Sequence, residues 1–308
     1  MSVSTDILLD RRRLKRRIVI WRTFAIISIL LLVLAIVGSG GRFENLPLTS
    51  HVARLNVVGV IVSDTRVHEA LADVADDPLA QALIVRIDSP GGTFVGGEAL
   101  FLALRRVAEQ KPVVAVMDTL ATSAGYMVAI AADRIVAHEG SVTGSIGVIM
   151  QTADITALLE KLGVTTEAIK SGPLKAVPSP LEPLTDDVRR VTQDVIAEMH
   201  DMFVDLVAER RGLEKPTALR LADGRIYTGR GAMGKGLVDE IGGEPEARSW
   251  LQDEHGIPLE LPLRDVEIGS PAEKLLPKAF AWITRAVLPE RHTLDGLISL
   301  WQPGHMNN

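Results

Sequence analysis

A serine and a lysine are the residues of this sequence whose types and surroundings best fit a chemical role. Ser123 lies in the segment LATSAGY, at a predicted turn from a strand to a helix, and Lys175 ends the segment KSGPLK. A serine hydroxyl is a weak nucleophile at neutral pH, and an amine that burial keeps neutral can accept its proton. The pair therefore predicts a hydrolase that uses a Ser-Lys dyad.

Each of these residues also has a plainer interpretation when it is taken alone. A serine at the start of a helix is commonly a cap, although the positive end of the helix dipole would also favour an oxyanion near Ser123. An isolated lysine is most often solvated at the surface. Lys175, however, follows a Gly-Pro pair and precedes the rigid segment VPSP at 177–180. This context places it on irregular backbone rather than on an exposed helix face.

Two further segments are candidates for parts of the same site. The segment DSPGG at 88–92 lies between a predicted strand and a predicted helix. Its glycines leave backbone N–H groups open to a ligand, which makes it a candidate oxyanion hole, with an ordinary turn as the simpler alternative. Ser145, in the segment TGS, offers a hydroxyl that could orient the amine of Lys175, or it belongs only to a turn before a strand. The phosphate-binding Walker pattern is absent.

Composition argues against several other chemistries. The chain has no cysteine, which excludes disulfides, thiolate metal sites and a cysteine nucleophile. Its seven histidines show no HExxH or comparable metal spacing, so neither a metal nor another cofactor is predicted. A Ser-His-Asp hydrolase built on Ser123 with His200 or His255 remains an alternative. His200 is expected on the exposed side of a long helix.

The first 22 residues are strongly basic in a chain that is acidic overall. Seven Lys or Arg against two Asp give +5 there, which leaves −11 for residues 23–308, so no nucleic-acid partner is expected. Residues 1–17 are predicted as a cytoplasmic basic tail and residues 18–38 as a transmembrane signal-anchor in contact with lipid. The remaining chain is then extracytoplasmic, at a bacterial cytoplasmic membrane. A cleaved signal peptide is the alternative.

After a linker at 39–50, apolar strand-like segments alternate with amphipathic helical segments. This alternation predicts βαβ units and an α/β fold with a mostly parallel sheet. Strands are predicted at 53–62, 82–87, 113–117, 134–137 and 145–150, and helices at 67–74, 97–109, 123–133, 155–162 and 185–211. The catalytic domain is expected at 51–245, and the role of the C-terminal extension at 246–308 is open.

Several of these segments together carry a family resemblance. They are, in order, DSPGG at 88–92, TSAGY at 122–126, TGSIGVI at 143–149, KSGPLK at 170–175, and ADGR at 222–225 with GLVD at 236–239. This ordered set resembles the signature of the signal peptide peptidase A family, bacterial serine peptidases of family S49. The resemblance covers roughly residues 53 to 243.

The resemblance implies a Clp protease/crotonase-like fold with Ser123 as nucleophile and Lys175 as general base. It also implies that the Gly92 amide lies in the oxyanion hole and that Ser145 positions Lys175. The implied protein is a membrane-anchored serine endopeptidase that degrades remnant signal peptides, in a homo-oligomer whose active sites combine adjacent subunits. Two other classes remain, an inactive membrane scaffold of the same fold and a crotonase-type acyl-CoA enzyme. The filled dyad positions disfavour the scaffold, and the anchor would separate an acyl-CoA enzyme from cytosolic CoA.

Overall fold

The computed structural model describes residues 21–28, residues 49–269 and the backbone of residues 298–300. The chain divides into two compact units, residues 1–49 and residues 50–308. In the first unit, residues 21–28 are helical and exposed. The predicted tail at 1–17 and most of the predicted anchor at 18–38 lie outside the described residues. Within the described ranges, no helix has the length and apolar character needed to cross a membrane.

The second unit is organised around a sheet of eight strands, and a separate pair of strands lies beside it. The strands are β1 (His51–Val58), β2 (Ala80–Ser89), β3 (Gly91–Thr93), β4 (Val113–Thr122), β5 (Arg134–Ala137), β6 (Val142–Gly144), β7 (Ile226–Thr228), β8 (Glu240–Ile241), β9 (Leu263–Asp265) and β10 (Ile298–Leu300).

Strands β7, β6, β4, β2, β1 and β9 lie side by side in that order, while β5 pairs with β4 and β8 pairs with β5. Within this sheet, only β6 and β7 pair in the antiparallel sense. The predicted α/β fold with a mostly parallel sheet is therefore confirmed. The C-terminal extension predicted at 246–308 contributes β9 to the edge of this sheet, beside β1.

Helices cover the sheet on both faces. They are α1 (Thr65–Asp76), α2 (Phe94–Ala108), α3 (Ala124–Ala129), α4 (Thr156–Lys161), α5 (Asp186–Arg211), α6 (Lys215–Leu221), α7 (Gly229–Met233) and α8 (Glu244–His255). In β2, Leu83 and Val85 belong to a core that includes side chains of α1, α2, α3 and α5, whereas Ile84 packs in a second core with α8. Burial on both faces explains why the central strands are nearly continuous apolar runs.

Side-chain caps set the start of the predicted helices. Thr93 accepts a hydrogen bond from the Gly96 amide at the start of α2, and Thr185 does the same for Val188 at the start of α5. Helix α5 ends at Gly212, whose backbone is left-handed with φ 62°. The helices predicted at 67–74, 97–109, 155–162 and 185–211 are confirmed to within three residues at each end.

Four predicted elements differ from the structure. The strand predicted at 53–62 ends at Val58, and the strand predicted at 113–117 continues to Thr122. The helix predicted at 123–133 is shorter, because α3 begins at Ala124 and ends at Ala129. The strand predicted at 145–150 is wrong, because β6 precedes it and stops at Gly144. Gly144 and Ser145 have φ values of 83° and 51°, and this left-handed backbone cannot continue a strand.

Residues 151–184, which we call the arm, contain no buried residue. The arm includes α4. Contacts within the arm join its beginning to its end: the Ile155 amide donates to the Pro180 carbonyl, and Lys170 and Glu182 form an ion pair of 2.6 Å. Large apolar side chains nevertheless face solvent along it, and Ile169 is 98% exposed. Apolar side chains on a segment with no core of its own are typical of a surface that another protein covers.

Candidate active site

Ser123 occupies a sharp turn between β4 and α3. Its backbone has φ 57° and ψ −119°, a region that non-glycine residues rarely adopt and that is concentrated at functional sites. Its amide donates to the Gly144 carbonyl at 2.8 Å. The side chain makes no capping hydrogen bond to α3, so the interpretation of Ser123 as an ordinary helix cap is wrong. A serine on a strained strand-to-helix turn is the arrangement of a nucleophile elbow.

Small residues allow the backbone to pack closely around this elbow. A Cβ atom added to Gly125 would lie 3.1 Å from the Ser89 carbonyl oxygen, and one added to Gly97 of α2 would lie 3.0 Å from the Ala124 Cβ. Ser123 itself is only 1% exposed. The sequence around Ser123 therefore places a buried serine where the end of β2, helix α2 and helix α3 meet.

Gly92 lies in β3, and its surroundings accept only a glycine. Its neighbour in the sheet is Ile61, and a Cβ atom on Gly92 would lie 1.8 Å from the Ile61 carbonyl oxygen. The Ile61 amide donates to the Gly91 carbonyl at 2.9 Å. Because the N–H and C=O of a trans peptide point in opposite directions, the Gly92 N–H points away from Ile61. The amide predicted for the oxyanion hole thus faces the opposite edge of β3.

A C-terminal strand pairs with β3. Strand β10 runs antiparallel to β3, with Ser299 opposite Gly92. This strand was not predicted, because three residues have no periodicity that could reveal it. The pairing means that β3 accepts an extended chain in addition to its bridge to Ile61.

Ser145 lies next to the elbow. It directly follows Gly144, which accepts the Ser123 amide and pairs with Thr122 across the parallel strands β4 and β6. The Ser145 amide donates to the Arg225 carbonyl at 2.8 Å. Because β2, β4 and β6 are neighbouring parallel strands, the glycine loop, Ser123 and Ser145 all lie at their carboxyl ends, where open α/β sheets bind ligands.

Lys175 makes no hydrogen bond with these residues in the described part of the chain. It lies on the arm and is exposed, and its backbone amide donates to the Gly172 carbonyl at 3.1 Å. Within the described part of the chain, its amine has no hydrogen bond or ion pair. The described part of a single subunit therefore brings Ser123, the Gly92 loop and Ser145 to one end of the sheet, while Lys175 is exposed and makes no hydrogen bond to them.

The histidines considered as alternative bases are engaged elsewhere. His200 was expected on the exposed side of α5, but it is half-buried, and its Nε2 lies 2.7 Å from the Ala222 carbonyl oxygen. The His255 ring packs edge-on against Trp250, with 4.8 Å between the ring centroids. Among the residues that the structure describes, no group of three or more His, Asp or Glu side chains is arranged to hold a metal ion.

Tyr126, on the elbow helix α3, is buried completely and donates from its hydroxyl to the Leu237 carbonyl at 3.0 Å. Burial raises the pKa of Tyr126 above its ordinary value, because the phenolate would have no water around it. The phenol thus stays protonated at alkaline pH and keeps α3 attached to the segment after α7.

Replacing Tyr126 with Phe is expected to lower the free energy of unfolding by about 1–2 kcal/mol, because a buried carbonyl loses its donor. The pKa of Tyr126 is raised in the folded state, so above a pH of about 10 the tyrosine loses its proton more readily in the unfolded chain than in the folded one. The free energy of unfolding of the wild type should therefore fall as the pH rises above about 10, and the Phe variant should not show this part of the fall. Denaturant unfolding at neutral and alkaline pH measures both effects. Tyr227→Phe is the control, since Tyr227 is half-buried. A larger alkaline effect in the control would contradict this assignment.

The sequence matches known proteins. Residues 105–258 match the family model described as Peptidase family S49. The chain is 38% identical over 228 residues to slr0021 of Synechocystis sp., whose name includes the word protease, and this covers 73% of the chain and 82% of that protein. It is 30% identical over 266 residues to the chloroplastic serine protease SPPA of Arabidopsis thaliana, covering 86% of the chain and 38% of that protein.

Two further similarities were found. Protease 4 of Haemophilus influenzae is 31% identical over 216 residues, which cover 67% of the chain and 35% of that protein. A solved ClpP1 mutant of Listeria monocytogenes superposes with a TM-score of 0.40 and 16% identity, over 62% of the chain and 91% of that structure. The chain thus spans most of the Synechocystis protein but little more than a third of the Arabidopsis and Haemophilus proteins. The family match and the Synechocystis relative show that this chain belongs to peptidase family S49, the family of signal peptide peptidase A.

Proposed function

We propose that this chain is a serine endopeptidase in which Ser123 is the nucleophile and Lys175 is the general base. Membership of peptidase family S49 supports hydrolysis of peptide bonds. The observation that carries the proposal is the backbone of Ser123, a buried non-glycine residue with φ 57° whose side chain does not cap the helix that follows it. Backbone strain of this kind is retained where function requires it.

The proposed reaction has two steps. The neutral amine of Lys175 accepts the proton of the Ser123 hydroxyl, and the oxygen attacks the carbonyl carbon of the scissile peptide bond. The Gly92 N–H stabilises the resulting oxyanion. Lys175 then gives its proton to the leaving amine, which departs and leaves an acyl-serine. In the second step, a water molecule gives a proton to Lys175 and attacks the acyl carbon. The bond between that carbon and Ser123 Oγ then breaks, Lys175 returns the proton to Ser123 Oγ, and the new C-terminal carboxyl product leaves.

We assign the base to a neighbouring subunit of a homo-oligomer. Lys175 is exposed on the arm, and the arm carries apolar side chains that the described part of the chain leaves exposed. Contact between the arm and a second copy would bury these side chains and remove water from Lys175. Burial favours the neutral amine that the reaction needs. We also propose that the α/β fold of this chain is the Clp protease/crotonase-like fold.

The proposed substrates are remnant signal peptides in or at the cytoplasmic membrane. Peptidases commonly bind extended segments by adding them to an exposed strand. The antiparallel pairing of β10 with β3 supports this binding mode, because this edge of β3, which the Gly92 N–H faces, accepts an extended chain. In the proposed complex the substrate takes the place of β10 on this edge. The apolar, basic N-terminal sequence supports attachment to the membrane that contains such peptides.

Hydrolysis of a synthetic signal peptide by the full chain tests the proposal. The wild type should release internal fragments that mass spectrometry identifies, and Ser123→Ala should release none. Ser249→Ala removes an exposed serine hydroxyl from α8, a helix that packs in the second core, and this control should retain wild-type activity. A wild type that is folded but inactive would favour the scaffold alternative, and an active Ser123→Ala variant would remove Ser123 as nucleophile.

The proposed topology has its own expected result. If the basic residues at 11–17 keep the N-terminus inside, protease added to intact spheroplasts should digest the catalytic domain and leave a small protected N-terminal fragment. Detergent lysis should remove that protection, and a cytoplasmic marker protein should remain intact until lysis. Full protection of the catalytic domain before lysis would reverse the orientation.

A further inference from the structure

Two hydroxyl side chains beside the elbow are fully buried and have no part in the reaction described above. Ser89 ends β2 and Thr122 ends β4, and both have 0% exposure. A buried hydroxyl without a partner is unfavourable, so the hydrogen bonds of these two groups indicate what they stabilise.

Both hydroxyls bind the same peptide unit. Thr122 Oγ1 donates to the Pro90 carbonyl at 3.0 Å, and Ser89 Oγ accepts from the Gly91 amide at 3.1 Å. Ser89 Oγ lies 2.6 Å from the Gly59 carbonyl oxygen, to which it donates. The carbonyl and the N–H of the Pro90–Gly91 peptide are thus held from opposite sides by two buried side chains.

This peptide immediately precedes the one that carries the Gly92 amide. The Gly91–Gly92 peptide is in turn held by Ile61, whose amide donates to the Gly91 carbonyl. Gly91 has φ 109°, a conformation that only glycine adopts readily. Because glycine has no side chain, sterics restrict the φ and ψ angles of Gly91 less than those of other residues. Hydrogen bonds on both sides of Gly91 must therefore fix the direction of the Gly92 N–H.

We propose that Ser89 and Thr122 are positioning residues, whose hydroxyls orient the Pro90–Gly91 peptide so that the Gly92 N–H faces the oxyanion formed by attack of Ser123. The inference rests on the proposed function and adds two residues to its site. Thr122 directly precedes Ser123, so its hydrogen bond to Pro90 also couples the position of the nucleophile to that of the oxyanion donor. A donor that is misaligned stabilises the transition state less, while binding of the substrate is largely retained.

The test uses full-chain variants that change single hydroxyl groups. Thr122→Val keeps the shape of the side chain and removes the hydroxyl, Thr122→Ser restores the hydroxyl, and Ser89→Ala removes the second one. Thr143→Val is the matched control, because Thr143 is also fully buried and its hydroxyl donates to the Ala121 carbonyl at 2.8 Å. It removes the same kind of hydrogen bond from β6, outside the glycine loop.

We expect kcat to fall by about 10-fold to 100-fold in Thr122→Val and Ser89→Ala with KM within about twofold of the wild type, and Thr122→Ser to recover most of kcat. A second readout is the ratio of kcat/KM for a peptide ester to that for its thionoester. Sulfur accepts hydrogen bonds poorly, so an aligned donor gives a large ratio. The ratio should fall in the two hydroxyl-deletion variants and stay at the wild-type value in Thr143→Val.

A kcat within twofold of the wild type in Thr122→Val, or a lowered kcat with an unchanged ester-to-thionoester ratio, would overturn the inference. If Thr122→Val does not fold, the ratio in Ser89→Ala decides in the same way, and thermal unfolding identifies that case. The proposed function fails separately, through activity in Ser123→Ala. An inactive Ser123→Ala together with normal Thr122→Val and Ser89→Ala would leave the peptidase proposal standing and remove only the positioning roles.

Discussion

Replacing Lys175 with Arg is expected to reduce kcat by about 10⁴-fold or more while leaving the fold intact. The guanidinium of arginine stays protonated, so it cannot accept the proton of Ser123. Lys175 is exposed and its amine has no hydrogen bond or ion pair within the described chain, so the change removes no interaction that stabilises the subunit.

Initial rates on the synthetic signal peptide and circular dichroism measure the two parts of this prediction. Lys161→Arg is the matched control, because Lys161 is also an exposed lysine of the arm, in the last turn of α4. The control should retain wild-type kcat. A Lys175→Arg enzyme with nearly normal kcat would end the dyad assignment, and it would return attention to a histidine base despite the contacts of His200 and His255.

Mixing two inactive variants is expected to restore activity. Ser123→Ala and Lys175→Ala subunits each lack one member of the dyad. If each active site takes its serine from one subunit and its lysine from the next, a random equimolar assembly pairs two intact residues at about a quarter of the interfaces. Such an assembly should therefore show about a quarter of the wild-type kcat.

Two controls make the mixing result interpretable. Differently tagged subunits, purified through both tags, establish that mixed oligomers have formed. The double variant, Ser123→Ala with Lys175→Ala, should restore nothing when it is mixed with either single variant. If verified mixed oligomers of the single variants stay inactive, the sites are not shared between subunits, and the exposed position of Lys175 would need a movement of the arm within one chain.

The sheet and its helices follow from local patterns in the sequence. The apolar runs of β2 and β4 and the three- and four-residue spacing of apolar side chains in α5 result from burial against the same core. The strand predicted at 145–150 was wrong because periodicity does not reveal backbone torsion. Gly144 signals a possible turn, whereas the left-handed conformation of Ser145 depends on its hydrogen bond to Arg225, a distant residue.

The sequence suggests candidate residues for the site but not their geometry. The small side chains around Ser123 indicate close packing, yet its left-handed torsion is visible only where β4 passes into α3 and the Ser123 amide binds the Gly144 carbonyl. Ser89 and Thr122 could have been noticed as polar residues at the ends of apolar strands, but their shared target, the Pro90–Gly91 peptide, appears only when β2 and β4 are paired. Apolar periodicity in the arm predicted α4 correctly, but it could not indicate that its apolar side chains remain exposed in a single chain.

Covalent labelling of the full chain with a serine-directed fluorophosphonate is the most direct test of the central claim. An activated serine attacks phosphorus and displaces fluoride, and peptide mapping then identifies the modified residue. We expect one adduct, on Ser123, that forms in parallel with the loss of peptide hydrolysis and forms far more slowly in Lys175→Arg. An adduct on a different serine that accompanies inactivation, or complete labelling of Ser123 with hydrolysis retained, would contradict the account.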